Sequence, residues 1–139
     1  MPCLSGRFDP SQGILINLAI AKPGTLVPRP GETLRVQNFL ALIDTGATRT
    51  CISRQAASVA GLVAMGKLPM VSATQTIPMD VYLADIVLPM GTAGLILPNM
   101  QIMEFNCDPN CAFQVLLGRD ILAKGVFTFS FDGHFSFSV

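Results

Sequence analysis

The stretch ALIDTGATRTCIS, residues 41–53, determines the fold that we predict for this chain. An apolar run leads directly into Asp44, and an ionised carboxylate at the end of a buried strand is costly unless donors hydrogen-bond to it. Thr45 offers a hydroxyl, and Gly46 permits a tight turn that aims backbone amides at the carboxylate. By itself, the tripeptide Asp-Thr-Gly is more often an Asx-type turn that closes a strand than a catalytic site.

A second motif, VLLGRDIL at residues 115–122, changes that interpretation. Together the two motifs resemble the retropepsin-like (retroviral-type) aspartic peptidases, in which one strand enters Asp-Thr-Gly-Ala and a later strand enters Gly-Arg-Asp or Gly-Arg-Asn. Their order and separation match that family, with a predicted hairpin between them, and the resemblance covers residues 34–139. The added loop over 22–32 and a helix over 54–60 are more similar to cellular or bacterial members than to minimal viral enzymes.

The resemblance implies a role for individual residues. Asp44 would be the catalytic carboxylate, and a hairpin tip would form the flap that closes over a bound peptide. The residues expected to support the active site are Thr45, Gly46, Ala47, Gly118, Arg119 and Asp120. The residues expected in the flap are Val71, Ser72, Ala73, Thr74, Gln75 and Thr76.

Two positions depart from the viral pattern. Viral members commonly carry an acidic residue just after the Ala, which can pair with the Arg of the second motif. Thr48 and Arg49 stand there instead, so Arg119 must find another acceptor. We expect Thr50 and Asp120 to be hydrogen-bonded to each other. The predicted flap tip also lacks the glycines of viral flaps.

The pattern of apolar runs and turn residues favours an all-β fold, a closed or partly closed barrel with two short helices. Ser53 is the expected N-cap of the first helix, and Asp132-Gly133 indicates a hairpin near the end. Predicted strands cover residues 13–19, 34–43, 67–71, 77–88, 95–97, 101–105, 113–117, 126–131 and 134–139, and predicted helices cover 54–60 and 119–124. We expect one domain over residues 1–139, with residues 1–12 as a flexible arm.

The number of Asp-Thr-Gly motifs predicts an oligomer. Peptide hydrolysis through an activated water needs one carboxylate as base and one carboxylic acid, and this sequence has a single such motif. The retropepsin resemblance implies that each chain supplies one lobe, so a two-fold symmetric homodimer would bring two Asp44 side chains together. We therefore predict an aspartic endopeptidase acting on peptide or protein substrates. The alternative is a catalytically silent dimer of the same fold that binds a peptide or a partner protein.

Composition and residue patterns argue against nucleic-acid-binding, metal-binding and membrane proteins. Nine Lys plus Arg balance nine Asp plus Glu, with no basic stripe, so nucleic acid is not an expected partner. Cys107 and Cys111 lack a second Cys or His pair, so we predict no metal and no cofactor. No stretch has the features of a signal peptide or a membrane span, and the four cysteines are not a disulfide framework. We expect a cytoplasmic protein.

Overall fold

A computed structural model of the protein describes residues 2–71, 73–92, 94–108 and 110–139. These residues confirm a mostly β fold with two short helices. The strands are β1 (Cys3–Arg7), β2 (Leu15–Ala21), β3 (Gln37–Ile43), β4 (Cys51–Ser53), β5 (Ala64–Val71), β6 (Thr76–Leu88), β7 (Leu95–Phe105), β8 (Val115–Leu117), β9 (Val126–Phe129) and β10 (His134–Ser138). The helices are α1 (Arg54–Val59) and α2 (Arg119–Leu122).

The larger sheet closes into a barrel. Its strand order is β2-β3-β8-β4-β7-β6-β5, and an additional pairing between β2 and β6 closes the first six of these strands on themselves. Closure removes the free edges of those strands and leaves β5 as an edge strand outside the ring. The interior is aliphatic, with Ile20, Ile52 and Ile86 fully buried. The predicted closed barrel is therefore confirmed.

The two strands that flank β8 set the geometry of the first motif. β3 runs parallel to β8, with Ile43 opposite Leu117, while β4 lies antiparallel on the other side of β8. The chain between β3 and β4 must therefore pass over the end of β8. Parallel strands end at the same edge of a sheet, so residues 44–50 lie directly against the residues that follow Leu117.

A second, smaller sheet joins the two ends of the chain in the order β1-β10-β9. The sequence analysis predicted a flexible arm over residues 1–12. That prediction is wrong for β1, because this strand pairs along its whole length with β10. Phe135 and Phe137 of β10 are buried in the main hydrophobic core. The opposite face is polar, where the Thr128 and Ser136 hydroxyls are 2.7 Å apart.

β7 is one continuous strand, although the sequence predicted two with a break around Pro98 and Asn99. Asn99 adopts a positive φ of 51°, and the β6–β7 register shifts between Ala84 and Ile86. The buried carboxylate of Asp85 accepts hydrogen bonds from the amides of Asn99 (2.8 Å) and Gly24 (2.9 Å). Asp85 thereby stabilises the bulge and ties the loop after β2 to the barrel.

Helix α1 begins as predicted, because the Ser53 side chain accepts a hydrogen bond from the amide of Ala56. The Arg54 guanidinium donates two hydrogen bonds to the buried Glu104 carboxylate, which also accepts from the Tyr82 hydroxyl. Burial, together with the bond to Glu104, raises the pKa of Tyr82 to about 12. The start of α1 is thus attached to β6 and β7.

The hairpin of β5 and β6 extends beyond the barrel. Pro69 and Pro78 face each other across this hairpin, so neither position supplies a backbone donor. Pairing of β6 with β7 begins only at Val81, and Val71 pairs with Thr76 at the far end of the hairpin. No described helix is long and apolar enough to cross a membrane.

We expect Asp85→Ala to lower the free energy of unfolding by about 1–3 kcal/mol, because the hydrogen bonds that the Gly24 and Asn99 amides donate to this buried carboxylate are lost. The measurement is urea denaturation followed by circular dichroism. Asp80→Ala is the matched control: its carboxylate pairs with the exposed Lys67 and should contribute less than about 1 kcal/mol. Equal effects of the two substitutions would contradict this role for Asp85.

Candidate active site

Asp44 follows β3 directly, at the edge where β3 and β8 end together. Its amide donates to the carbonyl oxygen of Leu117 (3.0 Å), and its Oδ1 accepts from the amide of Gly46 (2.9 Å). The amide of Ala47 closes the turn by donating to the Asp44 carbonyl oxygen (3.2 Å). The carboxylate is half-buried, whereas Thr45 and Gly46 are exposed. The loop therefore holds one oriented carboxylate on an open face of the barrel.

The predicted bond between Thr50 and Asp120 is present and forms the centre of a small network. Thr50 is fully buried; its hydroxyl donates to Asp120 Oδ1 (2.7 Å), and its amide donates to Asp120 Oδ2 (2.9 Å). The same hydroxyl accepts from the amide of Gly118 (3.1 Å). These bonds connect the end of the Asp44 loop to the beginning of α2.

Gly118 is required by the close approach of two backbones. A Cβ at this position would lie 2.6 Å from the carbonyl carbon of Arg49 and 2.9 Å from the amide nitrogen of Thr50. Both contacts are to backbone atoms, which cannot move aside as a flexible side chain would. The second motif can therefore pack this closely against the Asp44 loop only because residue 118 has no side chain.

Arg119 finds neutral acceptors on the Asp44 loop. Its guanidinium donates to the carbonyl oxygen of Thr45 (2.9 Å) and to the Thr48 hydroxyl (3.1 Å). Arg49 likewise donates to a neutral group, the Gln101 side-chain oxygen (3.1 Å). Neither guanidinium lies within ion-pair distance of a carboxylate among the described residues.

A groove of about 390 Å³ lies beside the Asp44 loop. One side is formed by residues 46–49 and the other by residues 69–71 of β5. Its apolar lining comprises Cys51, Pro69, Met70, Val71, Met103, Phe105 and Leu116. The groove therefore has the Asp44 loop on one side and a hydrophobic wall on the side of the β5–β6 hairpin.

Cys51 lines this groove but is a poor nucleophile. Burial raises the pKa of the thiol to about 11, and the negative charges of Asp120 and Asp44 act in the same direction. The thiol donates a long hydrogen bond to the carbonyl oxygen of Arg49 (3.4 Å). Because the thiolate is the reactive form, cysteine-based catalysis at this position is disfavoured.

The predicted flap is only partly placed beside the groove. Val71 lines the groove and Thr76 is its hairpin partner, whereas Ala73 and Thr74 lie in the exposed bend between them. Ser72 lies outside the described residues. Pro69 and Met70, which the sequence analysis did not assign to the site, form more of the groove wall than the tip does.

A larger cavity of about 640 Å³ lies near the opposite end of β3. Its lining includes Lys22, Glu32 and Arg35 together with the end of α1, and it contains no part of the Asp44 loop. Cys107 and Cys111 lie in another loop, after β7, and both are free thiols. Of these two cavities, the groove of about 390 Å³ adjoins both motifs found in the sequence.

Comparison with known proteins agrees with this geometry. The retroviral aspartyl protease family model matches residues 28–128, most of the chain, and the chain therefore belongs to that family. A crystal structure of a retropepsin-like aspartic protease from Rickettsia conorii shares the fold, with a TM-score of 0.64 and 13% sequence identity. That match covers 97% of this chain and 89% of the other chain. Curated protein sequences gave no match.

We expect Thr50→Val to lower the free energy of unfolding by about 2 kcal/mol, because the valine retains the shape but loses the hydroxyl that bonds Asp120 and Gly118. Thr50→Ser retains that hydroxyl and serves as the matched control. The measurement is the denaturation midpoint of each variant. If valine were as stable as serine at this position, the hydroxyl network would not be what holds the loop.

Proposed function

We propose that this protein is an aspartic endopeptidase in which Asp44 of each of two subunits contributes one carboxylate to a shared site. The observation that carries the proposal is the oriented Asp44 carboxylate, held by the Gly46 amide beside a largely apolar groove of about 390 Å³. Membership of the aspartyl protease family supports the reaction class.

We propose that the second carboxylate comes from a second copy of the chain. Asp120 belongs to the motif that packs against the Asp44 loop, but its Oδ1 accepts from Thr50 Oγ1 and from the Ile121 amide. Its Oδ2 accepts from the Thr50 amide. A carboxylate occupied in this way serves the structure of the loop and is not free to activate water. A second copy of Asp44 would supply the missing group.

The proposed reaction divides two tasks between identical residues. The ionised Asp44 removes a proton from a water molecule, which attacks the carbonyl carbon of the scissile peptide bond. The protonated Asp44 of the other subunit donates its proton to the carbonyl oxygen, so that no charged oxyanion develops. When the resulting diol collapses, the scissile C–N bond breaks and the amine nitrogen takes the proton that the first Asp44 removed from water. The second Asp44 recovers its proton from a hydroxyl of the diol, which becomes the new carboxyl group. The Gly46 amide and the Arg119 guanidinium hold the loop and keep the carboxylate oriented.

The surface of the small sheet supports pairing with a second copy. β9 has one unpaired edge, and Phe129 and Phe131 near it are 62% and 96% exposed. Large apolar side chains exposed at a sheet edge are typical of a surface covered in an assembly. We propose that the segment from Val126 to Val139 lies at or near the two-fold interface. Thr45, exposed beside Asp44, would then face its counterpart.

We also propose that the chain acts as a single domain in the cytoplasm. All four cysteines are free thiols, a state that suits a reducing compartment.

We expect Asp44→Asn to lower kcat by several orders of magnitude without unfolding the protein, because asparagine preserves the shape but cannot accept the proton from water. The measurement is cleavage of a denatured protein mixture, with products identified by mass spectrometry.

The matched control is Asp80→Asn. The Asp80 carboxylate lies at the surface and pairs with Lys67, so its loss should leave cleavage unchanged. Turnover by the Asp44 variant at the wild-type rate would place the chemistry elsewhere. A wild-type protein that binds peptides but never cuts them would instead indicate the silent binding dimer.

We expect Phe131→Lys combined with Phe129→Lys to raise the dimer dissociation constant at least tenfold, since each buries a charge at the proposed interface. Sedimentation velocity over a range of concentrations measures the equilibrium. Val27→Lys is the matched control, because Val27 is also an exposed apolar residue, at 85%, but lies in the loop after β2. A monomer at every concentration, in a sample that still cleaves peptides, would refute the shared site.

A further inference from the structure

The groove carries positive charge on the side of the Asp44 loop. Arg49 lines it directly, and Arg119 is hydrogen-bonded to Thr48, which lines it as well. Both guanidinium groups donate only to neutral acceptors in the described contacts, namely the oxygens of Gln101, Thr45 and Thr48. None of the described residues that line the groove is acidic.

The two arginines differ in how firmly they are engaged. Arg119 uses both terminal nitrogens to hold the loop, so its geometry is already committed to the structure. Among the described residues, the Arg49 guanidinium makes one hydrogen bond, from one terminal nitrogen to the side-chain oxygen of Gln101 at 3.1 Å, and the residue is exposed. A guanidinium has five donors, so Arg49 retains donors that a carboxylate could accept in a two-point geometry.

The remaining walls of the groove are apolar and would bind an apolar substrate side chain, unlike the side that carries Arg49. Met70, Met103, Phe105 and Leu116 present flexible thioether, aromatic and aliphatic surface. Met103 also packs in a small buried cluster with Cys51, Met79 and Val81, which gives this wall a firm backing. An apolar substrate side chain would lose its hydration here, whereas an acidic one would be drawn to the loop.

We propose that Arg49 is a specificity-determining residue that selects peptide substrates with an Asp or Glu side chain close to an apolar scissile pair. This inference rests on the proposed peptidase function, because it names the substrate class of the same groove. An exposed arginine and a carboxylate attract each other weakly in water, but a two-point bond inside a groove is stronger. The expected preference for Glu over Gln is about threefold to tenfold in kcat/KM.

The test uses fluorogenic peptides with an apolar scissile pair and a single Glu placed at each of three positions on either side. Each peptide has a matched version with Gln. Wild type should prefer Glu at one position, mainly through a lower KM, and the preference should shrink in high salt. Arg49→Gln should abolish the preference, and Arg49→Glu should favour Lys at that position. Arg35→Gln, which lies in the other cavity, should leave the preference intact.

The outcomes separate this inference from the proposed function. Cleavage without any Glu preference, or with a preference that Arg49→Gln preserves, overturns the role of Arg49 and leaves the peptidase proposal standing. If wild type cuts none of the peptides, the proposed function fails, and binding of fluorescein-labelled Glu and Gln peptides is measured by anisotropy. Equal affinities would then overturn the role of Arg49, whereas a Glu preference lost in Arg49→Gln would support it.

Discussion

The site depends on the passage of one loop over the end of one strand. Residues 44–50 leave β3, cross the end of β8 and return as β4, so their backbone must lie against Gly118. The Thr50 hydroxyl fills the remaining space and bonds both Asp120 and the Gly118 amide. A side chain at residue 118 would collide with the backbone of Arg49 and Thr50, and an apolar residue at 50 would remove the hydroxyl that connects the two motifs.

The two motifs and their relation could be predicted because each uses residue types with a strict physical requirement. Gly118 is needed where no Cβ fits, and the half-buried Asp120 carboxylate needs donors, which Thr50 supplies. β1 could not be predicted, because CLSGR has no apolar run and becomes a strand only by pairing with β10. The continuity of β7 was also hidden, because the Asp85 carboxylate that stabilises its bulge lies on another strand.

The composition of the groove was only partly foreseeable for a similar reason. Met70, Met103 and Leu116 come from three different strands, and their common exposure to one groove follows from the sheet order rather than from sequence spacing. Arg49 was visible as a departure from the viral pattern, yet its acceptor could not be inferred. The structure shows that this acceptor is a neutral amide, the side chain of Gln101. The loop thus combines the Asp44 carboxylate with an Arg49 side chain that pairs with no described carboxylate.

The pairing of β1 with β10 has a consequence for the order in which the molecule assembles. Cys3 lies opposite Ser138, so β1 pairs with a strand that is synthesised after every strand of the barrel. At about 5–20 residues per second, the wait is on the order of ten seconds. Throughout that time β1 offers two unpaired edges. Completion of the small sheet is therefore a late event in biosynthesis, after the barrel strands have all been synthesised.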